Sequence, residues 1–326
     1  MKIILCEAPR KIALRQTEIP RVNDHEVLVK IEYCGICSYD LKRFLGLKKI
    51  SYPVVLGHEP AGEVVKIGAK VRGLKKRDRV AVDVKERCGE CPSCLRGMES
   101  RCEQAQASGG FSRYMLVPVQ NVVKVSPDID LKAVTLTEPL ACIFHGYGKM
   151  KWRGIRDLLI VGDGIMGILA GFAGKMHRNK NVTLLGHHRK RLETVRSFGV
   201  AGVLSGKNPI PLSDLFDAVV LTVKEEKILA DLKRFLHPGG TVLLIGEMKN
   251  GSFPFDLNMI YSNEFILIGS NGYTPEDFRD ALALIEKYDP LLKSFISKVY
   301  RMEELETAFR DLQNKKILKG ILRLHS

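Results

Sequence analysis

Long uninterrupted apolar runs are missing from this sequence of 326 residues, and none approaches the roughly 20 residues that a bilayer-spanning helix needs. The first residues carry Lys2 and Glu7 around a very short apolar run, which is unlike a secretory signal. Repeats, low-complexity tracts and flexible linkers are missing as well. The length allows two domains, because single cores stop growing near roughly 250–300 residues. We therefore expect a soluble, cytoplasmic protein with two domains and no membrane partner.

Acidic residues are fewer than basic ones: 37 Asp and Glu stand against 51 Lys and Arg, which gives a formal net charge of +14. Such a charge suits an anionic partner, so nucleic acid has to be considered. The basic residues are spread along the whole chain, however, and no basic stripe interleaved with aromatic residues is visible. We expect a solvated basic surface and an anionic cofactor, with no nucleic-acid partner.

Four of the eight cysteines crowd into one short segment with the spacing C-x2-C-x2-C-x7-C; they are Cys88, Cys91, Cys94 and Cys102. This spacing is typical of a metal cluster rather than a disulfide scaffold, which indicates a reducing compartment. Four thiolates form a closed tetrahedral zinc site that stabilises its loop and leaves no position for a substrate. An iron–sulfur cluster is the competing interpretation.

The first 137 residues have a mainly β pattern. Short predicted strands at Val27–Tyr33, Gly62–Ile67, Arg79–Val82 and Tyr114–Val117 are separated by Gly, Pro and Asp. Short strands at this spacing predict a small barrel-like β domain.

Metal-ligating side chains lie between the first two of these strands, at Cys37, His58 and Glu59. A thiolate, an imidazole and a carboxylate from separate loops suit a catalytic zinc, because three protein ligands leave one position for water or substrate. Cys37 alone would be a buried thiol, and His58 alone a core histidine. Beside a four-cysteine cluster, we interpret them together as an open zinc site.

A glycine-rich loop follows the apolar run Leu158–Val161 and continues into a second apolar segment. The pattern G-x-G-x-x-G predicts a buried parallel strand, a tight turn and a helix start. The glycines permit the turn, the approach of a pyrophosphate and close packing of helix on strand. The expected phosphate-binding residues are Gly162, Gly164, Ile165, Met166 and Gly167. Strand–helix alternation continues after them, as in a doubly wound sheet.

The next predicted strand, Asn181–Gly186, ends where NAD enzymes carry an Asp or Glu for the ribose 2′-hydroxyl. Gly186 stands there instead, and His187, His188, Arg189 and Lys190 follow it. Loss of the carboxylate removes repulsion, and the basic residues supply donors and charge for a 2′-phosphate. We predict NADP rather than NAD. The alternative, a solvated basic turn, does not explain the missing acid.

These motifs resemble those of the zinc-dependent medium-chain dehydrogenase/reductases, the alcohol and polyol dehydrogenase family, over nearly the whole chain. The matching segments are Gly35-Ile36-Cys37 with Asp40, Gly57-His58-Glu59, the four-cysteine lobe, Asp78-Arg79-Val80, Gly109-Gly110-Phe111, Glu138-Pro139-Leu140 and Gly162 to Gly167. The resemblance implies an α/β protein with a GroES-like β-barrel catalytic domain, residues 1–139 and 270–326. It also implies a Rossmann domain with a doubly wound parallel sheet, residues 140–269, with metal and cofactor meeting in the cleft between the two.

The resemblance also assigns the remaining zinc ligand. Simple alcohol dehydrogenases of the family place a cysteine just before the Rossmann domain, whereas the polyol, sugar and threonine branches often have a glutamate, here Glu138. In that branch Glu59 binds the metal directly, while Glu138 binds it directly or through water. Cys142 lies four residues beyond Glu138 and is the competing candidate if that segment is helical.

Asp40 resembles the family carboxylate that orients the zinc-bound histidine, here His58, although an ordinary helix N-cap is the alternative. Two positions depart from the family. Tyr39 replaces the Ser or Thr that passes on the alcohol proton, and Lys42 stands where many members have a relay histidine. Since a phenol can donate or accept a proton, Tyr39 either relays it or shapes the pocket while Ser38 or water carries it.

Further cofactor contacts are expected at the ends of later strands, at Thr222, Gly246 and Gly269. Family members commonly dimerise through the edge strand of this sheet, here Leu257 to Ile268, so we expect a homodimer or homotetramer. A capped helix from Thr274 to about Tyr288 and a final strand then return the chain to the β domain.

The predicted reaction is reversible oxidation of a secondary hydroxyl in a polyol, sugar or hydroxy-amino-acid-like small molecule. Two zinc ions per chain, one catalytic and one structural, and NADP are the expected cofactors. One alternative is an NADPH-dependent aldehyde or ketone reductase. Another is a non-catalytic descendant that binds NADPH or nucleic acid.

Overall fold

A computed structural model of the chain describes residues 1–205, 215–223, 226–246 and 256–325. The chain forms two compact units. The first unit combines Met1–Glu138 with Thr274–Ser326, and the second is Pro139–Tyr273.

Both units contain strands and helices. The strands are β1 Lys2–Ala8, β2 Lys11–Gln16, β3 Glu26–Ile36, β4 Val54–Val55, β5 Glu59–Ile67, β6 Arg79–Val82, β7 Lys85–Glu86, β8 Gln106–Ala107, β9 Tyr114–Pro118, β10 Val122–Lys124, β11 Asp157–Val161, β12 Asn181–Gly186, β13 Ala201–Leu204, β14 Phe216–Leu221, β15 Leu236–Ile245, β16 Ile266–Ser270, β17 Ile296–Arg301 and β18 Lys319–Arg323. The helices are α1 Ser38–Phe44, α2 Pro92–Leu95, α3 Leu131–Val134, α4 Thr137–Gly148, α5 Ile165–Met176, α6 Arg189–Arg196, α7 Glu226–Ala230, α8 Leu257–Asn263, α9 Pro275–Lys293 and α10 Leu305–Gln313.

The first unit is organised around a mixed sheet with the order β10-β6-β5-β3-β18-β17, in which β9 also pairs with β3. β3 is its central strand, and Val27, Val29 and Ile31 from that strand are fully buried. Alternate side chains of a strand point to one face, so these residues form one row in the core. β18 pairs antiparallel with β3 and brings the last part of the chain against the first. The strands predicted between Val27 and Val117 all lie within β3, β5, β6 and β9.

The second unit contains a sheet with the order β13-β12-β11-β14-β15-β16, and every pairing in it is parallel. β11 is its central strand, and Leu158, Leu159 and Ile160 are fully buried. A continuous apolar strand is expected where both faces of a parallel sheet are covered. The predicted parallel sheet is confirmed.

The predicted edge strand Leu257 to Ile268 is wrong in its first half. Leu257–Asn263 forms α8, because the Asp256 side chain accepts the N–H of Asn258 at 2.9 Å and caps a helix there. Only the following segment, Ile266–Ser270, joins the sheet, and it forms the edge beside β15.

Two helix boundaries also differ from the prediction. The strand–helix alternation after the glycine loop predicts a helix near Lys227 to Leu236, but α7 ends at Ala230, because Leu236 already pairs with Phe216 in the sheet. α9 passes the predicted end and reaches Lys293, with a kink at Tyr288. Among the described residues, no helix has both the length and the apolar character needed to cross a membrane.

Candidate active site

Cys37 lies at the junction between β3 and α1. Its backbone is extended, with φ −112° and ψ 152°, and its side chain caps α1 by accepting the N–H of Tyr39 at 3.5 Å. The start of α1 thus carries a sulfur, and a cysteine binds metals as its thiolate.

His58 and Glu59 reach Cys37 through the pairing of β5 with β3. Glu59 is opposite Gly35 in this antiparallel ladder, two residues before Cys37. One ligand atom from each of Cys37, His58 and Glu59 lies within 4.8 Å of the other two. The strand register therefore brings together a thiol, an imidazole and a carboxylate that are separated in sequence.

Asp40 points its carboxylate at His58 rather than capping the helix. Its Oδ1 lies 3.2 Å from His58 Nδ1 and accepts the N–H of Gly57 at 3.0 Å. Burial alone would raise the pKa of Asp40, but the neighbouring His58 and the Gly57 N–H lower it. A carboxylate at Nδ1 leaves the other ring nitrogen, Nε2, available as a metal ligand. Glu138 Oε2, at the start of α4, lies 4.0 Å from that Nε2.

Lys319, at the start of β18, forms a buried salt bridge with Glu59 Oε2. The two residues are 1% and 2% exposed. Burial alone would lower the pKa of Lys319, but the charges of Glu59 and Cys37 raise it. Gly35 makes this arrangement possible, since a Cβ there would lie 1.7 Å from Glu59 Oε2. Lys319 was not predicted from the sequence, where its only signal is a lysine next to the apolar run of β18.

The donor set fits a zinc ion. Glu59 Oε1 is buried and has no hydrogen-bond partner among the described residues, while the other carboxylate oxygen is held by Lys319. Sulfur, nitrogen and oxygen donors of this kind are those that Zn²⁺ accepts in catalytic sites. Cys142 lies on α4 and is not among the donors within 4.8 Å of one another.

Tyr39 lies between Cys37 and Asp40 in sequence and is 45% exposed. Its ring meets that of His58 edge-on, with 6.0 Å between centroids. Two cations face the ring: Lys48 Nζ is 5.8 Å and Arg43 Cζ is 6.0 Å from its centroid. Within the described part of the chain, the hydroxyl makes no hydrogen bond. Lys42, the other departure from the family, lies in the last turn of α1.

The four-cysteine lobe brings its sulfur atoms together around α2. One sulfur from each of its cysteines lies within 4.8 Å of the others; they are Cys88, Cys91, Cys94 and Cys102. The backbone N–H of Glu103 lowers the pKa of Cys91, and that of Cys88 lowers the pKa of Cys102. Four sulfur donors without a carboxylate or imidazole fit a closed tetrahedral zinc site.

The glycine loop connects β11 to α5. Gly162 has φ +111°, a conformation that glycine adopts readily, and a Cβ at Gly167 would lie 1.7 Å from the Gly162 oxygen. Gly164 caps the helix, and a Cβ there would meet nothing within 4 Å. Gly164, Ile165 and Met166 are partly exposed. Open backbone at a helix N-terminus fits the pyrophosphate of a dinucleotide.

The basic turn follows β12 directly. Gly186 is buried, whereas His187, Arg189 and Lys190 are exposed. The acid that seemed missing from this strand end comes from the glycine loop: Asp163 Oδ2 accepts the backbone N–H groups of His187 and His188 at 2.7 and 2.6 Å. The expectation that no carboxylate lies at this strand end is wrong, because the sequence does not show how close the loop comes.

The remaining expected cofactor residues lie within or directly after strands of the same parallel sheet. Thr222 follows β14, and its hydroxyl donates to Val161 O at 2.9 Å. Gly246 follows β15 with φ +116°. Gly269 lies within β16, and its carbonyl accepts from Lys149 Nζ at 3.2 Å.

Two family models match the chain, an alcohol dehydrogenase GroES-like domain over residues 23–127 and a zinc-binding dehydrogenase over residues 209–318. L-galactonate-5-dehydrogenase of Escherichia coli strain K12 is 29% identical over 99% of this chain and 98% of that protein. The chain belongs to the zinc-dependent medium-chain dehydrogenase/reductase family. The resemblance inferred from the motifs is confirmed.

Two further relatives are also named as dehydrogenases. D-arabinitol dehydrogenase 1 of Uromyces fabae is 27% identical over 98% of this chain and 96% of its own. A Sinorhizobium meliloti 1021 protein, named as a zinc-binding dehydrogenase and solved with bound NADP, has a TM-score of 0.88 and is 26% identical over 99% of each chain. The predicted fold, a GroES-like β domain with a parallel-sheet Rossmann domain, is confirmed.

Proposed function

We propose that this zinc-type dehydrogenase reversibly oxidises a secondary hydroxyl of a polyol, sugar or sugar-acid-like substrate and uses NADP. Its membership of the family and its relatives named for galactonate and arabinitol support the class of reaction. The bound NADP of the Sinorhizobium meliloti structure and the basic turn after β12 support the choice of cofactor.

The observation that carries the proposal is the mixed donor set around Cys37, His58 and Glu59. We propose that these three residues hold the catalytic zinc, with Glu138 beside them as a direct ligand or through water. A zinc ion held there supplies Lewis acidity toward a substrate oxygen. A three-residue set leaves one position for that oxygen, which the four-cysteine lobe does not.

The neighbouring residues orient the donor side chains before a substrate binds. Asp40 holds His58 with Nδ1 facing the carboxylate and Nε2 facing the ligands. Lys319 holds one oxygen of Glu59 in a buried salt bridge, and the other oxygen has no hydrogen-bond partner among the described residues. Tyr39 presents its ring beside His58, and its partial exposure and unbonded hydroxyl support a pocket-shaping role with water carrying the proton.

The cofactor residues act through backbone and charge. The open N-terminus of α5, from Gly164 to Gly167, binds the pyrophosphate. The exposed side chains of Arg189 and Lys190 supply positive charge for a 2′-phosphate. The nicotinamide ring supplies the hydride acceptor, and we assign its amide contacts to the backbone at Gly246 and Gly269.

We assign the zinc chemistry to residues 1–139 with 270–326, cofactor binding to residues 140–269, and the second zinc to the four-cysteine lobe. A lobe of free thiols suits a reducing compartment, which supports a cytoplasmic enzyme. β16 is an edge strand with Ile266 and Leu267 exposed, which supports a homodimer or homotetramer assembled along that edge.

Elemental analysis of protein purified without chelator tests the metal assignment, and a substrate panel with NADP and NAD tests the reaction. We expect about two zinc ions per chain and turnover with polyols or sugar acids that stops when zinc is removed and returns when it is restored. About one zinc per chain that does not increase on zinc addition, with no turnover of any alcohol, contradicts the proposal. Turnover of aldehydes and ketones alone would favour the reductase instead.

A further inference from the structure

Asp163 is the second residue of the glycine loop and is only 6% exposed. Besides accepting two backbone N–H groups from the turn after β12, its carboxylate contacts the His188 ring: Nδ1 lies 3.0 Å from Oδ1 and 2.9 Å from Oδ2. One carboxylate thus fixes both the backbone and a side chain at the start of the basic turn.

Gly186 is a consequence of this carboxylate. A Cβ at position 186 would lie 2.5 Å from Asp163 Cβ and 2.6 Å from Oδ2, closer than real contacts allow. An Asp or Glu at this strand end, as NAD enzymes carry it, has no room here. The carboxylate at this strand end therefore comes from Asp163 in the glycine loop, and the space that it occupies requires glycine at position 186.

A second cation of the turn is fixed by the same residue. Arg191 Nη1 donates to the main-chain oxygen of Asp163 at 3.3 Å and lies 3.9 Å from Oδ1. The side chains of Arg191 and His188 are 16% and 33% exposed, so both still reach solvent. With Nδ1 at the carboxylate, His188 keeps Nε2 for a ligand.

The carboxylate does not cancel the charge of this region. Burial alone would raise the pKa of Asp163, but the donors from His188 and His187 lower it, so the group is ionised at neutral pH. Its single charge is met by Arg191 and by those donors. Arg189 and Lys190 remain exposed beside it and keep the turn positive.

We propose that Asp163 is a specificity-determining positioning residue, which holds His188 and Arg191 where they recognise the 2′-phosphate of NADP. This inference rests on the proposed use of NADP. NAD lacks the phosphate, so its affinity depends much less on the orientation of these two side chains.

Direct binding of NADPH and NADH to the zinc-loaded protein, followed by nicotinamide fluorescence, tests the proposal without requiring a substrate. We expect Asp163→Asn to raise the Kd of NADPH about tenfold and that of NADH less than about twofold. Asp163→Asn combined with His188→Ala should bind NADPH within about twofold of His188→Ala alone, because Asp163 acts largely through that ring.

Asp157→Asn is the matched control. Asp157 begins β11, the strand that leads into the loop, and among the described residues its Oδ1 accepts from Asn181 Nδ2 alone, at 3.0 Å. This variant makes the same change of charge in the strand that leads into the loop, and we expect both affinities to stay within about twofold of the unmodified protein.

If Asp163→Asn raises the Kd of NADPH and of NADH equally, the inference is overturned, because Asp163 then only stabilises the fold of the loop. Tighter NADPH binding overturns it as well, because the carboxylate would then act by repulsion. Unmodified protein that binds NADPH no more tightly than NADH overturns the NADP assignment and this inference with it. If Asp163→Asn does not fold, His188→Ala and Arg191→Met must each weaken NADPH selectively, and equal effects on NADH overturn the inference.

Discussion

The four-cysteine lobe and the site around Cys37 lie in the same unit but are assembled in different ways. The lobe takes all its donors from residues 88–102, and each is a cysteine. The open site brings together Cys37 at the junction of β3 and α1 with His58 just before β5 and Glu59 at the start of β5, which are three kinds of side chain. A local set of like donors suits a metal that only stabilises the fold, whereas donors from separate elements can leave a position for a substrate.

The two sites also differ in what surrounds the donors. Backbone N–H groups lower the pKa of Cys91 and Cys102 in the lobe. In the open site, charged side chains hold the donors instead: Asp40 contacts His58 Nδ1, and Lys319 forms a buried salt bridge with Glu59. Under the proposed function, the open site depends on these buried charges, and substitutions should separate its role from that of the lobe.

The largest expected effect is the loss of turnover in Cys37→Ala. Removing a ligand of the open site should lower kcat about 10⁴-fold, because Lewis acidity contributes several kcal/mol to the transition state. Zinc content should fall by about one ion per chain, while Tm should change by only a few degrees. Steady-state kinetics, elemental analysis and calorimetry check this. Cys6→Ala, a buried free thiol of the same unit, is the control and should keep both zinc ions.

Cys94→Ser should show the opposite pattern. Breaking the closed site should lower Tm by about 10 °C or more, because structural zinc contributes directly to folding. Activity of the protein that remains folded should fall much less than in Cys37→Ala. Ser93→Ala in the same lobe is the control. An unchanged Tm together with lost turnover would show that the roles of the two sites are reversed.

Lys319→Met should destabilise the open site by leaving Glu59 charged and buried. Loss of one partner of a buried ion pair costs about 3–5 kcal/mol, or about 6–10 °C in Tm for a chain of this size. The double variant Lys319→Met with Glu59→Gln should recover much of that stability but not the activity. Lys298→Met is the control. Lys298 lies on the neighbouring strand β17 and is a half-exposed partner of Asp311, so its loss should change Tm by about 1–2 °C or less. A double variant no more stable than Lys319→Met would disprove the pairing argument.

Asp40→Asn should weaken zinc at the open site without touching the lobe. Residues that orient a metal-bound histidine typically contribute about 10–100-fold to metal affinity. Competition with a chelator should show one zinc ion per chain leaving more readily and the other unchanged. Simultaneous weakening of both ions would mean that the substitution acts on the whole unit.

The smallest effect is expected for Tyr39→Phe. The hydroxyl makes no hydrogen bond in the described structure, so its removal should change kcat less than about threefold. The pH dependence of kcat should keep its shape. A loss of about 100-fold, with a shifted profile, would instead place the phenol in the proton relay.

Local patterns were sufficient to predict much of this fold. The strands around β3 and β5, the glycine loop and the four-cysteine spacing each follow from neighbouring residues, so the sequence shows them directly. The edge strand was wrong where Asp256 caps a helix, because a single capping residue outweighs the apolar character of Leu257 and Met259.

The residues that the sequence did not reveal act over long distances. Lys319 meets Glu59 across 260 positions, and Asp163 meets His188 across 25. Their partners depend on strand pairing and on the path of a loop, which no local pattern encodes. The sequence does show that position 186 lacks an acidic residue. The physical reason for that glycine, the neighbouring carboxylate of Asp163, is visible only in the structure.

The distance between Glu59 and Lys319 also matters while the chain is being made. At about 5–20 residues per second, roughly 13–50 s pass between synthesis of these two residues, which are 260 positions apart. Cys88 and Cys102 are only 14 positions apart, so about 1–3 s separate them. On the ribosome, the lobe can thus acquire its metal first, while the open site waits for its buried cation until β18 has emerged.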